Sequence, residues 1–167
     1  FIISFTIALS GALAPGPLLT TVIYESAKRG FKAGPLIILG HALLEILMVI
    51  LLIVGIPSFI NNPVILKVIF FMGAYMMVRS NDELRSSVKH ISLNIKDSYK
   101  KSSNLVLTGI TMSLANPYWT IWWLTIGLGL VLLAKKQGFI AIAIFFIGHI
   151  LADFLWYSIV SFTISKG

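Results

Sequence analysis

Gly40-His41-Ala42-Leu43-Leu44-Glu45 places an imidazole and a carboxylate inside an apolar run that extends from Leu36 to Ile56. The spacing returns in Gly148-His149-Ile150-Leu151-Ala152-Asp153, inside a second apolar run. Each copy begins ten residues after a Gly-Phe pair, Gly30-Phe31 and Gly138-Phe139. On a helix the histidine and the acid of each copy stand four residues apart, on one face. A charged side chain at the centre of a bilayer costs roughly 2.5–3.5 kcal/mol on insertion scales. Two matched copies of so costly an arrangement point to use, and the pattern is that of a duplicated membrane transporter.

Composition supports the same class. Hydrophobic residues make up 57% of the 167 and charged residues 11%, with a mean hydropathy of +0.94, which leaves too little polar surface for a soluble domain of this size. Most charges fall at 25–32, 79–101, 135–136 and Lys166; the exceptions are Lys67, Glu45 and Asp153. Lys67 lies near the start of its apolar segment and can snorkel to the headgroups, whereas Glu45 and Asp153 sit too deep. The net charge of +7 therefore resides in basic loops, which suit anionic lipid headgroups and give no reason to expect nucleic acid. Absence of cysteine excludes disulfides, thiolate metal sites and a membrane thiol relay for this chain.

Five apolar segments follow in order. The first, Phe1 to about Tyr24, is long enough to cross a bilayer but contains Ala14-Pro15-Gly16-Pro17, which removes two backbone donors and adds a flexible glycine. A kink or an unwound stretch near mid-membrane results, either a proline kink tolerated by neighbours or a discontinuous helix facing a substrate. The second runs from Ala33 to Ile56, and the third, about Val64 to Val78, carries Gly73-Ala74 for close helix approach. A polar stretch at 79–104 reads as a basic linker. The fourth, Leu105 to Ala134, is interrupted at Ala115-Asn116-Pro117 and then carries Trp119, Trp122 and Trp123, which suit either an interfacial aromatic belt or the wall of a binding cavity. The fifth runs from Gly138 to about Ile164.

Residues 28–56 match 136–164 at a constant offset of 108, and the two interrupted helices match at an offset of about 101. A unit of three spans repeated once must be inverted in the membrane, since an odd number of crossings reverses the second copy. The expected fold is therefore all-α and polytopic, an inverted repeat of three-helix units with discontinuous helices at 14–17 and 115–117. Repeat 1 covers about 1–79, the linker 80–104, and repeat 2 about 105–167; five spans are visible, and the repeat calls for a sixth after Gly167. The loops at 25–32 and 79–104 hold nine Lys or Arg against two in the loops at 57–63 and 135–137. Short basic loops stay in the cytoplasm, so the N-terminus is expected outside and the 79–104 loop inside.

Ala14-Pro15-Gly16-Pro17, the basic turn before Gly30-Phe31-x-Ala33-Gly34, Gly73-Ala74-Tyr75 and Leu114-Ala115-Asn116-Pro117 together resemble the lysine exporter (LysE/RhtB, threonine efflux) family, over essentially the whole chain. The resemblance implies a six-span inner-membrane exporter of amino acids or related small metabolites. It also implies a wider superfamily that includes metal exporters. It assigns no role to the two His-acid pairs.

The residues themselves suggest one. An amino acid needs an anionic partner for its ammonium and donors for its carboxylate. Glu45 and Asp153 suit the first, and the half-helix starts formed by Pro15, Gly16 and Pro17 and by Asn116 and Pro117, with Trp119 beside them, suit the second. His41 and His149, one turn from the acids, suit a proton relay or a hydrogen bond to the carboxylate. A purely structural reading, in which each pair satisfies itself and holds two helices together, stands beside this one. Inversion predicts that Glu45 and Asp153 approach one cavity near mid-membrane, where two carboxylates cannot both stay charged unaided and proton-for-substrate exchange becomes the natural coupling. The expected partners are a small-molecule substrate and membrane lipids, with a homo-oligomer open and no cofactor. Two His and two acids converging also suit a divalent cation as cargo. An intramembrane metalloenzyme is disfavoured, because His-x-x-x-Glu lacks the second histidine of a His-Glu-x-x-His site.

Overall fold

The computed structural model describes residues 1–14, 16–60, 64, 67, 71 and 104–167, with side chains over the same residues except 55–60. Pro15, the basic linker through residue 103 and the third segment, apart from the helical Val64, Lys67 and Phe71, lie outside the described residues. The regular structure of the described residues is all helix: α1 Ile2–Ala12, α2 Pro17–Arg29, α3 Ala33–Ile60, α4 Leu105–Leu114, α5 Pro117–Trp122, a π turn Trp123–Gly127, α6 Leu128–Gln137 and α7 Phe139–Lys166. Ala33–Val54 of α3, the run Pro117–Gln137 and α7 are each long and apolar enough to cross a membrane, and the pair α1 and α2, bent by 76°, makes a fourth candidate. The chain is an all-helical polytopic membrane protein.

Both expected interruptions are present. Helix α1 stops at Ala12, and Gly16 lies in extended backbone as the residue before α2, whose first residue is Pro17. Proline is suited to that position, because the first N–H of a helix has no intrahelical acceptor. In the second break Asn116 is extended and its side-chain oxygen accepts from the Tyr118 N–H at 3.1 Å, with Pro117 opening α5. The expectation of one interrupted span over Leu105–Ala134 is refined: Pro117–Gln137 is long enough alone, and α4 is a separate ten-residue helix before it.

The paired Gly-Phe motifs have one physical cause. Gly30 and Gly138 have φ of 78° and 101°, a region closed to residues with a Cβ, and each turns the chain from a basic helix end into a long helix. Helices α3 and α7 run antiparallel. The end of α7 meets the start of α3, where Ser161 Oγ donates to the Phe31 carbonyl at 2.7 Å. At the other end Val49 and Leu52 share a core with Ile142 and Phe145.

These two helices are apolar nearly all round, so their polar residues mark the inside. On α3, Ile38, His41, Ala42, Glu45, Val49 and Leu52 are buried, while Leu39, Leu43, Ile46, Leu47, Ile50 and Leu51 are exposed. On α7, Phe145, His149, Ala152, Asp153 and Tyr157 are buried, while Ile144, Ile147, Leu151, Leu155 and Ile159 are exposed. Exposed aliphatic faces of this extent suit a hydrocarbon solvent. Helix α4 crosses α3 at backbone contact: a Cβ added to Gly40 would lie 1.9 Å from the Val106 carbonyl oxygen, and one added to Gly109 would lie 1.9 Å from that of Ile37. That crossing sets α4 directly against His41.

Candidate functional site

Glu45 stands twelve residues after Ala33, about 18 Å along a helix that rises 1.5 Å per residue, and its side chain is buried. Four N–H-bearing groups converge on one of its oxygens. His41 Nε2 lies 3.0 Å from Glu45 Oε1, His149 Nε2 lies 3.1 Å from it, and the indole N–H groups of Trp123 and Trp119 donate to it at 3.0 and 3.3 Å. An ionised carboxylate oxygen accepts and does not donate, so with Glu45 ionised both histidines carry their proton on Nε2. Hydrogen bonds to a charged acceptor are worth about 1.5–3 kcal/mol each, and several are needed to offset the desolvation of a buried carboxylate. The four donors come from α3, α5, the π turn and α7.

Asp153 is placed differently. Its Oδ2 is 3.6 Å from His149 Nε2 and 3.7 Å from His41 Nε2, beyond a good hydrogen bond. Asp153 Oδ2 and Glu45 Oε2 are both buried without a hydrogen-bond partner among the described residues. Behind His41, Ser113 of α4 places its Oγ 2.7 Å from Nδ1 and 2.7 Å from the Gly109 carbonyl oxygen. Behind His149, Nδ1 is buried with no partner among the described residues, and the ring packs instead on Trp122, Trp123 and Phe145 at centroid distances of 4.8, 5.2 and 6.1 Å.

The structure thus brings His41, Glu45, His149 and Asp153 together, adds Trp119, and replaces the two self-contained pairs of the structural reading with a cross-helix cluster. Trp119, Trp122 and Trp123 are buried, which decides against the aromatic belt. The two helix breaks also meet: a Cβ added to Gly16 would lie 3.5 Å from Asn116 Nδ2, and one added to Gly11 would lie 3.4 Å from Trp122 Nε1. Pro17 and Pro117 serve as first residues of their helices, and Pro15 lies outside the described residues. Sequence reasoning missed Ser113, and it named Trp123 only as one of three tryptophans. The available signal for Trp123 was its spacing of four from Trp119, which puts both indoles on one helix face.

Ligand atoms of His41, Glu45 and Asp153 lie within 4.8 Å of one another, close enough to be drawn around a cation. As arranged, however, both Nε2 atoms point their protons at Glu45 Oε1, and that oxygen also meets two indoles. A metal bound through His41 Nε2 would have to displace that nitrogen's proton from Glu45 Oε1. The donor set fits a hydrogen-bonded cluster with two spare carboxylate oxygens better than a ligand shell.

No curated protein and no solved structure matches the chain. The model of the LysE type translocator family matches residues 9–166, nearly its whole length, and that span contains both breaks and all four cluster residues. The chain belongs to the LysE type translocator family.

Proposed function

We propose that the chain exports amino acids, or related small metabolites carrying a primary ammonium, across the cytoplasmic membrane in exchange for protons. The observation that carries the reading is the pair of buried carboxylate oxygens, Asp153 Oδ2 and Glu45 Oε2, that have no hydrogen-bond partner among the described residues. Buried acceptors are rarely left unmet, and each costs free energy until a donor arrives. An ammonium brings three donors and a positive charge and fills this need without disturbing Glu45 Oε1. The substrate carboxylate then lies toward Gly16 and Asn116, where an amide nitrogen and the start of α2 offer donors. Trp119 links the two ends, since it follows Asn116 by three residues and bonds Glu45.

The test is uptake of labelled amino acids into everted proteoliposomes, with Asp153→Asn as the variant. This substitution keeps the shape of the side chain and removes its charge, so the purified variant should fold while substrate binding falls at least tenfold. Wild-type binding by that variant rules the site out. Movement of zinc or manganese with no amino acid moving would make the cargo a metal cation. The charge bias of the loops supports a cytoplasmic turn at 28–32 and an external turn at 135–138. Cysteines introduced at Lys32 and Gln137 of this cysteine-free chain should accordingly label from opposite faces in intact cells.

A further inference from the structure

The duplicated motif supplies two histidines, and their surroundings differ in the one respect that decides whether a buried imidazole can take a second proton. Both hold Nε2–H on Glu45 Oε1. The difference lies at Nδ1. His41 Nδ1 faces Ser113 Oγ, whereas His149 Nδ1 faces no hydrogen-bonding group among the described residues.

From this contrast we infer that His41 is the proton carrier of the exchange and that Ser113 is its positioning residue, acting as a two-position rotor. A hydroxyl has one proton and can accept as well as donate. Ser113 Oγ lies 2.7 Å from both His41 Nδ1 and the Gly109 carbonyl oxygen. With His41 neutral, the hydroxyl donates to the bare Nδ1. With His41 protonated, Nδ1–H donates to Oγ, and the hydroxyl proton swings to the Gly109 carbonyl. Both states are fully hydrogen-bonded, no heavy atom moves, and the bond from Nε2–H to Glu45 persists throughout. A proton added to His149 would instead create a buried N–H with no acceptor among the described residues.

Among the described residues, the charged and titratable groups facing His41 are Glu45 on its own helix and Asp153 and His149 on α7; α4 brings Ser113 and no charge. The added proton comes from hydronium on the more acidic side, whose O–H bond breaks as the Nδ1–H bond forms, and on release the Nδ1–H bond breaks as an O–H bond to water forms on the other side. Asp153 Oδ2 is 3.7 Å from His41 Nε2. A protonated His41 and a substrate ammonium on Asp153 would therefore be like charges at close range, and occupancy by one excludes the other. This mutual exclusion couples the two fluxes. It rests on the ammonium site proposed above, although the protonation pattern itself requires no substrate.

Nitrogen-15 NMR of histidine-labelled full chain in lipid nanodiscs tests the inference. The chain has three histidines, and the His90→Gln variant leaves the two of interest. Without substrate, both should show the Nε2–H neutral form at high pH, and acidification should doubly protonate His41 while His149 stays neutral. Ser113→Ala should demand about tenfold more acid or greater to protonate His41, the effect of one lost charge-assisted hydrogen bond, and Ser113→Thr, which keeps the hydroxyl, should restore the wild-type titration. Earlier protonation of His149, a neutral His41 with its proton on Nδ1, or an unchanged His41 titration in Ser113→Ala would each overturn the assignment. Should Ser113→Ala fail to fold, the order of titration in the wild-type background decides alone. Because no substrate is present, failure of amino-acid export leaves this readout intact, and the reverse also holds.

Discussion

His149 Nε2 lies 3.1 Å from Glu45 Oε1 but 3.6 Å from Asp153 Oδ2, the acid one turn away on its own helix. The second copy of the motif thus spends its donor on the first copy's carboxylate. Two stretches that share Gly-His-x-Leu-x-acid thus contribute to an asymmetric cluster, in which Glu45 Oε1 meets four donors while Glu45 Oε2 and Asp153 Oδ2 have no hydrogen-bond partner among the described residues.

That asymmetry makes the indole donors measurable. Trp123→Phe keeps most of the ring packing against Phe145 and His149 and removes one N–H from Glu45. The expected loss is about 1.5–3 kcal/mol, read as a lower unfolding midpoint in detergent. Glu45→Gln gives a second reading, since it replaces the charged acceptor by a neutral one and should weaken all four bonds at once. A Trp123→Phe protein as stable as wild type would mean that Glu45 does not depend on this donor.

The pH dependence of transport has a definite sign. In the proposed exchange protonated His41 and the substrate ammonium compete, so acidifying the side from which substrate loads should raise the apparent KM and leave the maximal rate unchanged. Over a range in which His41 takes up its proton, each unit of acidification should raise KM by up to about tenfold. Initial rates in everted vesicles at several cytoplasmic-side pH values measure this. A fall in maximal rate at constant KM would contradict the competition.

Gly40 and Gly109 cannot carry side chains where they are. Gly40→Ala sets a methyl carbon against the Val106 carbonyl at 1.9 Å, so α4 must shift, and overpacking of this kind typically costs about 1–3 kcal/mol. Because α4 carries Ser113, the same shift should also loosen the His41 Nδ1 contact and reduce export. Thermal unfolding of the purified variant, measured beside its transport rate, should show both losses; full stability would mean that the crossing is not tight.

Lys135 donates to the Ile53 carbonyl at 3.0 Å, and that carbonyl lacks its usual intrahelical donor because Pro57, four residues on, has no N–H. Lys135→Met should therefore cost about 0.5–1.5 kcal/mol in the native background and close to nothing in a Pro57→Ala background, where the helix supplies the missing bond. A double-mutant cycle on unfolding free energies checks it. Equal costs in both backgrounds would show the two residues to be independent.

Much of this arrangement was legible in the chain. An acid four residues after a histidine in an apolar run announces a buried polar face, and two such runs at a fixed offset announce a shared site. Proline after extended residues marks the breaks, and the Gly-Phe pairs mark turns that only glycine makes. The convergence on Glu45 alone was not legible, because it depends on how far α7 is offset along α3, a distance of a few ångströms that no residue pattern encodes. Ser113 was hidden for a different reason. A serine in an apolar helix ordinarily bonds its own backbone, and this one does, so nothing in its neighbourhood distinguishes it until His41 is brought alongside.

The π turn at Trp123–Gly127 separates two halves of one span that answer to different neighbours. A helix advances by about 100° per residue, and a π turn accommodates a surplus residue relative to an α turn. Before it and at its first residue, Trp119 and Trp123 reach Glu45; beyond it, Val131 and Ala134 pack with Ile142 in the core that the tryptophan rings also join. Deleting a single residue within the turn would leave the first half in place and rotate the second by roughly a quarter of a circle, carrying Val131 out toward lipid. The surplus residue thus works as a phase step: it lets one helix satisfy a polar centre on one side and an apolar packing surface beyond it, with neither fixing the register of the other.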